Sequence, residues 1–280
     1  MNHPQPCEEI AFDIRVDGRR LHAKSIHPPQ AARTGSHATL VFLHEGLGSI
    51  TQWKHFPQAL VRATGLPALV YDRCGYGKSE VQPHPPGPAY LEAEAWDALP
   101  QVLAACGVEA PILVGHSDGA TIALLYAARF PASPLGVVSE AAHVRVEPIA
   151  LQGIWRTLRA FETTNLRDRL QTHHGAKVDS VFHGWSDVWL SPEFRDWSMV
   201  HLLPQVRCPV LAIQGEQDEY GTPDQVSLIT GGVDGPASAL LLPHCGHVPH
   251  FQAGERVLDA MARFIGTTLA ASSGGTGSGR

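Results

Sequence analysis

No basic run and no long apolar run occurs anywhere in the 280 residues. With a net charge of −6, the chain is not expected to bind nucleic acid or an anionic membrane surface. No uninterrupted apolar stretch approaches a membrane span. Residues 1–9 lack the basic and apolar regions of a secretory signal, so none is expected. Cysteine is scarce. Cys7, Cys74, Cys106, Cys208 and Cys245 are odd in number, scattered and in no metal-ligand spacing, which predicts free thiols in a reducing, cytoplasmic setting. Charged residues are only 17% against 44% apolar, so a well-buried core is expected. No internal repeat is present, and the length suits one α/β domain carrying an insertion.

What is there is an alternation of short apolar runs with helical spacing. Ile10, Phe12, Ile14 and Val16 alternate up to Asp17-Gly18, and Leu21, Ala23 and Ser25 follow, predicting a β-hairpin with a tight turn. Leu40 to Leu43 is wholly apolar, the pattern of a strand buried on both faces. Helical spacing follows over 52–64, then a strand over 67–71. Leu91, Ala95, Leu99, Val102 and Cys106 form one helical stripe, which Pro100 should kink or divide. Further strands are expected at 111–114, 135–139, 210–214 and 238–242, and helices at 120–130, 224–230 and 252–269.

Residues 147–203 break this alternation. They hold Trp155, Phe161, Phe182, Trp185, Trp189, Phe194 and Trp197, seven of twenty aromatics in a fifth of the chain. The segment predicts a helical cap inserted between a first core part, 1–146, and a second, 204–271. Residues 272–280 are rich in Gly and Ser and are expected to be a flexible tail. The whole order calls for an α/β fold with a mostly parallel sheet and helices on both faces. Active residues in such sheets collect at the carboxyl ends of strands.

The densest motif is Gly115-His116-Ser117-Asp118-Gly119, set between the strand at 111–114 and the helix at 120–130. A serine on a tight strand-to-helix turn, flanked by glycines at minus two and plus two, is a nucleophile elbow. Other polar motifs also end apolar runs. These are Leu43-His44-Glu45-Gly46, Asp72-Arg73-Cys74-Gly75-Tyr76-Gly77-Lys78-Ser79, Gly215-Glu216-Gln217-Asp218 and Cys245-Gly246-His247-Val248-Pro249.

In this order the motifs resemble those of the α/β-hydrolase superfamily, over nearly the whole chain apart from the tail and the details of the cap. The resemblance implies an eight-stranded sheet. It makes Ser117 the nucleophile, His247 the general base and then acid, and Asp218 the acid that orients His247. It places the oxyanion hole on the backbone N–H groups of Gly46 and Asp118. Two departures stand out. Glu45 occupies a position where the family usually has Gly, and Gln252 one where it often has Glu. Glu45 either adds a carboxylate near the oxyanion turn or points away to pair near Arg73.

Each role has a competitor. His247 is one of 16 histidines, and His244, His247 and His250 spell a zinc site on paper. That spacing is no standard helical ligand pattern and Pro249 interrupts it, so no metal and no cofactor are expected. Asp218 competes with Glu216 and Glu219, and with a plain helix-capping role. Glu140 is an alternative or supporting acid. The Asp118 side chain either attracts a cationic substrate group or pairs with a local arginine. His44 and Asp72 are expected to be structural, with Asp72 and Arg73 bracing the Gly75-Tyr76-Gly77 turn. For the pocket, Glu45 and one or two of Trp155, Trp185, Trp189 and Trp197 are expected to face substrate.

The expected function is a serine hydrolase acting on a small or medium carboxylic ester, with a small-molecule acyl substrate as its partner. Thioesters, lactones and carbon–carbon bonds remain open because the same machinery serves them. A non-catalytic ligand receptor on the same fold is the alternative from another class. Oligomeric state is left open.

Overall fold

The computed structural model describes residues 6–34 and 36–274. Strands β1 (Glu8–Val16) and β2 (Arg19–His27) form the hairpin around Asp17 and Gly18. Both turn residues have positive φ, 50° and 74°, as a two-residue hairpin turn requires. Six further strands follow: β3 (Ala38–Leu43), β4 (Ala68–Tyr71), β5 (Ala110–His116), β6 (Gly136–Glu140), β7 (Val210–Gly215) and β8 (Ala237–Leu242). They form one eight-stranded sheet in the order β1-β2-β4-β3-β5-β6-β7-β8. The hairpin pairs antiparallel, and so does β2 with β4; every later pairing is parallel. Strands β3 and β5 lie side by side in the middle, with Leu40 on Ile112 and Leu43 on Gly115. Their near-continuous apolar sequences suit strands covered on both faces.

Two helical layers do the covering. On one face α1 (Phe56–Thr64) and α10 (Gly254–Gly274) pack through Leu60, Val61, Val257, Met261 and Ile265. On the other, α2 (Tyr90–Ala93), α3 (Leu99–Ala105) and α4 (Asp118–Arg129) share a core with Leu91, Leu99 and Leu124. Helix α4 buries every residue but Arg129. Between β6 and β7 come α5 (Pro148–Thr163), α6 (Leu166–His174) and α7 (Val178–Leu190), the inserted helical cap. Helix α8 (Asp224–Gly232) then links β7 to β8, and the short α9 (Pro249–Gln252) follows β8. Among the described residues no helix is long and apolar enough to cross a membrane.

Local departures from the sequence reading have local causes. The helix expected over 52–64 splits at Lys54, whose φ of 51° ends a 3-10 turn over Ile50–Trp53. Pro100 stands at the start of α3, where its stripe is divided from α2. It follows a π-helical turn over Glu94–Ala98, so the ladder widens where proline has no N–H to give. The last helix extends to Gly274, so residues 272–274 continue it; 275–280 of the expected tail lie outside the described residues.

Candidate active site

The elbow depends on two glycines. A Cβ at Gly119 would stand 1.9 Å from the Leu43 carbonyl oxygen, and one at Gly115 would stand 2.3 Å from that of Gly119. Only bare backbone lets α4 start this close to β3 and β5. Between them Ser117 holds φ at 53°, a strained value for a residue with a side chain. Its N–H donates to the Glu140 carbonyl at 2.8 Å, and its carbonyl accepts from Ala120 at 2.9 Å.

The loops after β7 and β8 meet it. Gly215 allows this approach, because a Cβ there would lie 2.2 Å from the Cys245 carbonyl oxygen. The Gln217 N–H donates to that same carbonyl at 2.9 Å, tying the two loops. His247 Nε2 then lies 3.0 Å from Ser117 Oγ, and its Nδ1 lies 2.8 and 2.9 Å from the two Asp218 oxygens. Asp218 also accepts from the Tyr220 N–H at 2.8 Å and from the Gln214 amide at 3.2 Å. Burial pushes Asp218 up, but the facing imidazole and these donors outweigh it and hold the carboxyl below its usual range. Burial likewise works against protonated His247, and the Asp218 charge and hydrogen bond still raise it above its ordinary value.

The competing acids have other partners. Glu219 Oε2 accepts from the His247 N–H at 3.1 Å and so steadies the loop. Glu140 accepts from the His250 N–H and from His250 Nδ1, at 2.7 and 2.8 Å. His116 Nε2 donates to the His247 carbonyl at 2.7 Å. The three histidines of the paper zinc site therefore do not converge. Among the described residues no three or more His, Cys, Asp or Glu are grouped to hold a metal ion.

Beside the elbow, the Glu45 carbonyl accepts from Arg73 Nη2 at 2.8 Å and from His44 Nδ1 at 2.8 Å. His44 Nε2 accepts the Arg73 N–H at 3.1 Å, so the ring carries its proton on Nδ1, and burial holds it neutral. A trans peptide points its N–H opposite its carbonyl. Anchoring the Glu45 carbonyl on Arg73 and His44 therefore turns the Gly46 N–H away from them. Among the described residues neither the Gly46 nor the Asp118 N–H has an acceptor.

Asp72 braces its turn by accepting from the Ile50 and Lys78 N–H groups, at 2.7 and 2.8 Å. Arg73 shares that work, its carbonyl accepting from the Tyr76 N–H at 3.0 Å and its guanidinium lying 4.6 Å from the Tyr76 ring centre. It also donates to the Glu45 carbonyl and approaches Asp118 to 4.0 Å. Asp118 is buried, and its Oδ2 accepts from the Tyr90 hydroxyl at 2.7 Å, which in turn accepts from Trp189 Nε1 at 2.8 Å. Burial raises the Asp118 carboxyl despite Arg73.

Two cavities open here. A narrow cleft of about 50 Å³ lies over Ser117, lined by Gly46, Asp118, His143, Trp185, Trp189 and Tyr220 among others. A wider one of about 540 Å³ runs outward past Leu47, Trp53, Thr157, Leu170 and His250. Glu45, Leu47 and Tyr220 border both. Trp155, expected over the pocket, is not there: it is 55% exposed and lines neither cavity. On α5 the neighbouring Ile154 takes the inward position, and one helical residue later the side chain has turned about 100° away. Trp197 also lies elsewhere, stacked on Phe194 and donating to Glu92 at 2.8 Å. Sequence reasoning missed Tyr90, His143 and Tyr220. His143 and Tyr220 do follow the ends of β6 and β7, a signal that was available; Tyr90 carries none.

Comparison with known proteins agrees with this architecture. Residues 38–200 match the family model described as alpha/beta hydrolase fold. The chain is similar to the sn-1-specific diacylglycerol lipase ABHD11 of Mus musculus, 36% identical over 39% of this chain and 33% of that one. It is also similar to the 2-hydroxymuconate semialdehyde hydrolase of Pseudomonas sp. (strain CF600), 25% identical over 97% and 99%. Among solved structures, the proline iminopeptidase of Mycobacterium smegmatis superposes with a TM-score of 0.70 at 22% identity, over 94% of this chain and 100% of that one. The matched stretch thus spans about a third of the lipase and nearly all of the semialdehyde hydrolase. The matched model, which covers more than half of the chain, together with the shared fold, places this protein in the alpha/beta hydrolase fold family.

Proposed function

We propose that this chain is a serine hydrolase that cleaves a small or medium carboxylic ester or a related acyl bond through Ser117, His247 and Asp218. The observation that carries the reading is the unbroken hydrogen-bond chain from Ser117 Oγ through His247 to Asp218. A serine hydroxyl is a poor nucleophile until a base takes its proton. His247 Nε2 stands at 3.0 Å for that purpose. Asp218 keeps the other ring proton on Nδ1, which leaves Nε2 free to accept, and then steadies the imidazolium.

Attack on the carbonyl carbon puts negative charge on its oxygen. The Gly46 and Asp118 N–H groups receive it, worth about 3 kcal/mol for a single donor. His247 next returns its proton to the leaving group, and a water molecule activated by the same imidazole resolves the acyl-enzyme. The cap over residues 147–203 roofs the reaction through Trp185 and Trp189. A cleft of about 50 Å³ favours a short group on the Ser117 side, with the bulk of the substrate in the outer cavity.

Ser117→Ala is expected to abolish hydrolysis of short p-nitrophenyl esters while circular dichroism and the melting transition persist. Near wild-type turnover in that variant would refute the assignment. A fluorophosphonate should label wild-type Ser117; a folded protein that resists labelling would fit a ligand receptor instead.

A further inference from the structure

Glu45 stands at the neck where the cleft over Ser117 meets the outer cavity, and it borders both. Its backbone is anchored on Arg73 and His44, but its carboxylate makes no hydrogen bond or ion pair among the described residues. The turn leaves room for that side chain: a Cβ at Gly48 would stand 2.8 Å from Glu45 Cγ. A half-buried carboxylate without a partner, facing a cavity, leaves its acceptors for something that enters.

A second observation points to the same kind of ligand. Asp118 lines the same cleft, is 1% exposed, and its Oδ1 has no hydrogen-bond partner. The acidic groups lining the inner cleft are thus Glu45 and Asp118, while Asp218 and Glu219 are engaged on His247. Against them stands Arg73, which donates to the Glu45 carbonyl at 2.8 Å and approaches Asp118 Oδ2 to 4.0 Å, leaving the Glu45 carboxylate without a cation. His143 and His116 add no charge, because burial holds them down to about 4 and about 3. His247 is neutral when it acts as base. Lys54, Arg169 and His173 border only the outer cavity, with the Lys54 ammonium over the Phe251 ring. The Tyr220 and Trp185 rings complete the neck, and aromatic faces attract organic cations.

We propose that Glu45 is a specificity-determining residue that selects acyl substrates carrying an ammonium group within a few bonds of the scissile carbonyl. This rests on the serine-hydrolase reading. The ammonium sits between the Glu45 carboxylate and the Tyr220 ring, while the carbonyl reaches Ser117 and the Gly46 and Asp118 N–H groups.

The test uses two organophosphonate thioesters that react with Ser117, one with a thiocholine leaving group and one with its uncharged 3,3-dimethylbutanethiol isostere. Labelling rates are read by intact-protein mass spectrometry. Wild-type protein is expected to react roughly tenfold faster with the cationic probe, between the values of exposed and buried charge pairs. Glu45→Gln should bring the ratio near one, and Glu45→Lys below one. Equal wild-type rates, or an unchanged ratio in Glu45→Gln, would overturn the proposal alone. Failure of both probes on folded wild-type protein overturns the serine-hydrolase reading and this proposal with it. If a variant does not fold, the wild-type ratio is read against salt. A ratio falling toward one supports the proposal, and a salt-independent ratio overturns it.

Discussion

Replacing Asp218 by Asn tests the logic of the site more sharply than removing the serine. The two side chains are nearly isosteric, so the fold should persist. Their hydrogen-bonding capacity differs. Asp218 is surrounded by donors: the Tyr220 N–H, the Gln214 amide and His247 Nδ1. An asparagine has one oxygen for those three. Nδ1 lies 2.8 and 2.9 Å from the two Asp218 oxygens, so either orientation of the amide sets its NH₂ group beside Nδ1, and when that group donates the ring nitrogen must accept. The ring proton moves to Nε2, the atom 3.0 Å from Ser117 Oγ, and the base can no longer take the serine proton. The expected loss in kcat/KM is about 10⁴-fold, the effect of the equivalent exchange in the serine-protease triad, or about 5 kcal/mol of transition-state stabilisation. The pH profile gives a second reading. In the wild type, activity should rise with pH as His247 loses its proton, with a midpoint above the ordinary 6.5 because Asp218 holds the proton on. In Asp218→Asn the burial that opposes protonation remains and the charge is gone, so the midpoint of the residual activity should fall. The assay is p-nitrophenyl ester hydrolysis from pH 5 to 9. A folded Asp218→Asn variant with less than about a tenfold loss, or with an unshifted midpoint, would refute the tautomer argument.

Other perturbations separate chemistry from packing. Gly46→Ala places a Cβ 2.4 Å from Trp185 Cδ1 and 3.0 Å from Asp118 Oδ2. It should lower the stability by about 1–3 kcal/mol and cut kcat by displacing the Gly46 N–H, measured by thermal melts and initial rates. Glu140→Gln tests the buried pair with His250. Burial raises the Glu140 carboxyl, but the His250 charge and hydrogen bonds outweigh this and hold it below its ordinary 4.5. Its stabilisation is therefore complete above that value and is lost as pH falls through the lower folded-state value. The variant should be about 2 kcal/mol less stable at neutral pH, with the gap to wild type closing in acid. Trp155→Ala should change stability by less than about 0.5 kcal/mol and leave ester hydrolysis untouched, because that ring faces solvent.

The legible part of this molecule is the part that depends on near neighbours in the chain. Apolar runs marked the strands, helical spacing marked the covering layers, and Asp17-Gly18 marked the hairpin turn. Gly115 and Gly119 marked the elbow, since a tight turn declares itself in the residues that make it. Even Pro100 signalled a disturbance, although only the structure showed that a π-helical turn absorbs it. Which side chains meet across the loops was not legible, because those contacts join residues far apart in the chain. Asp118 was open between a cationic ligand and a local arginine, and in the folded chain it finds Tyr90 and Arg73. Glu140 was open as an acid, and packing hands it to His250. Trp155 and Trp185 look alike in sequence. The rotation of α5 and α7 turns one outward and sets the other against Gly46. The sequence by itself determined the strand–turn–helix units and the chemical types at their ends. Tertiary structure alone decided which of those groups share a cleft, since burial and distance, which set partners and charge states, belong to the packed chain.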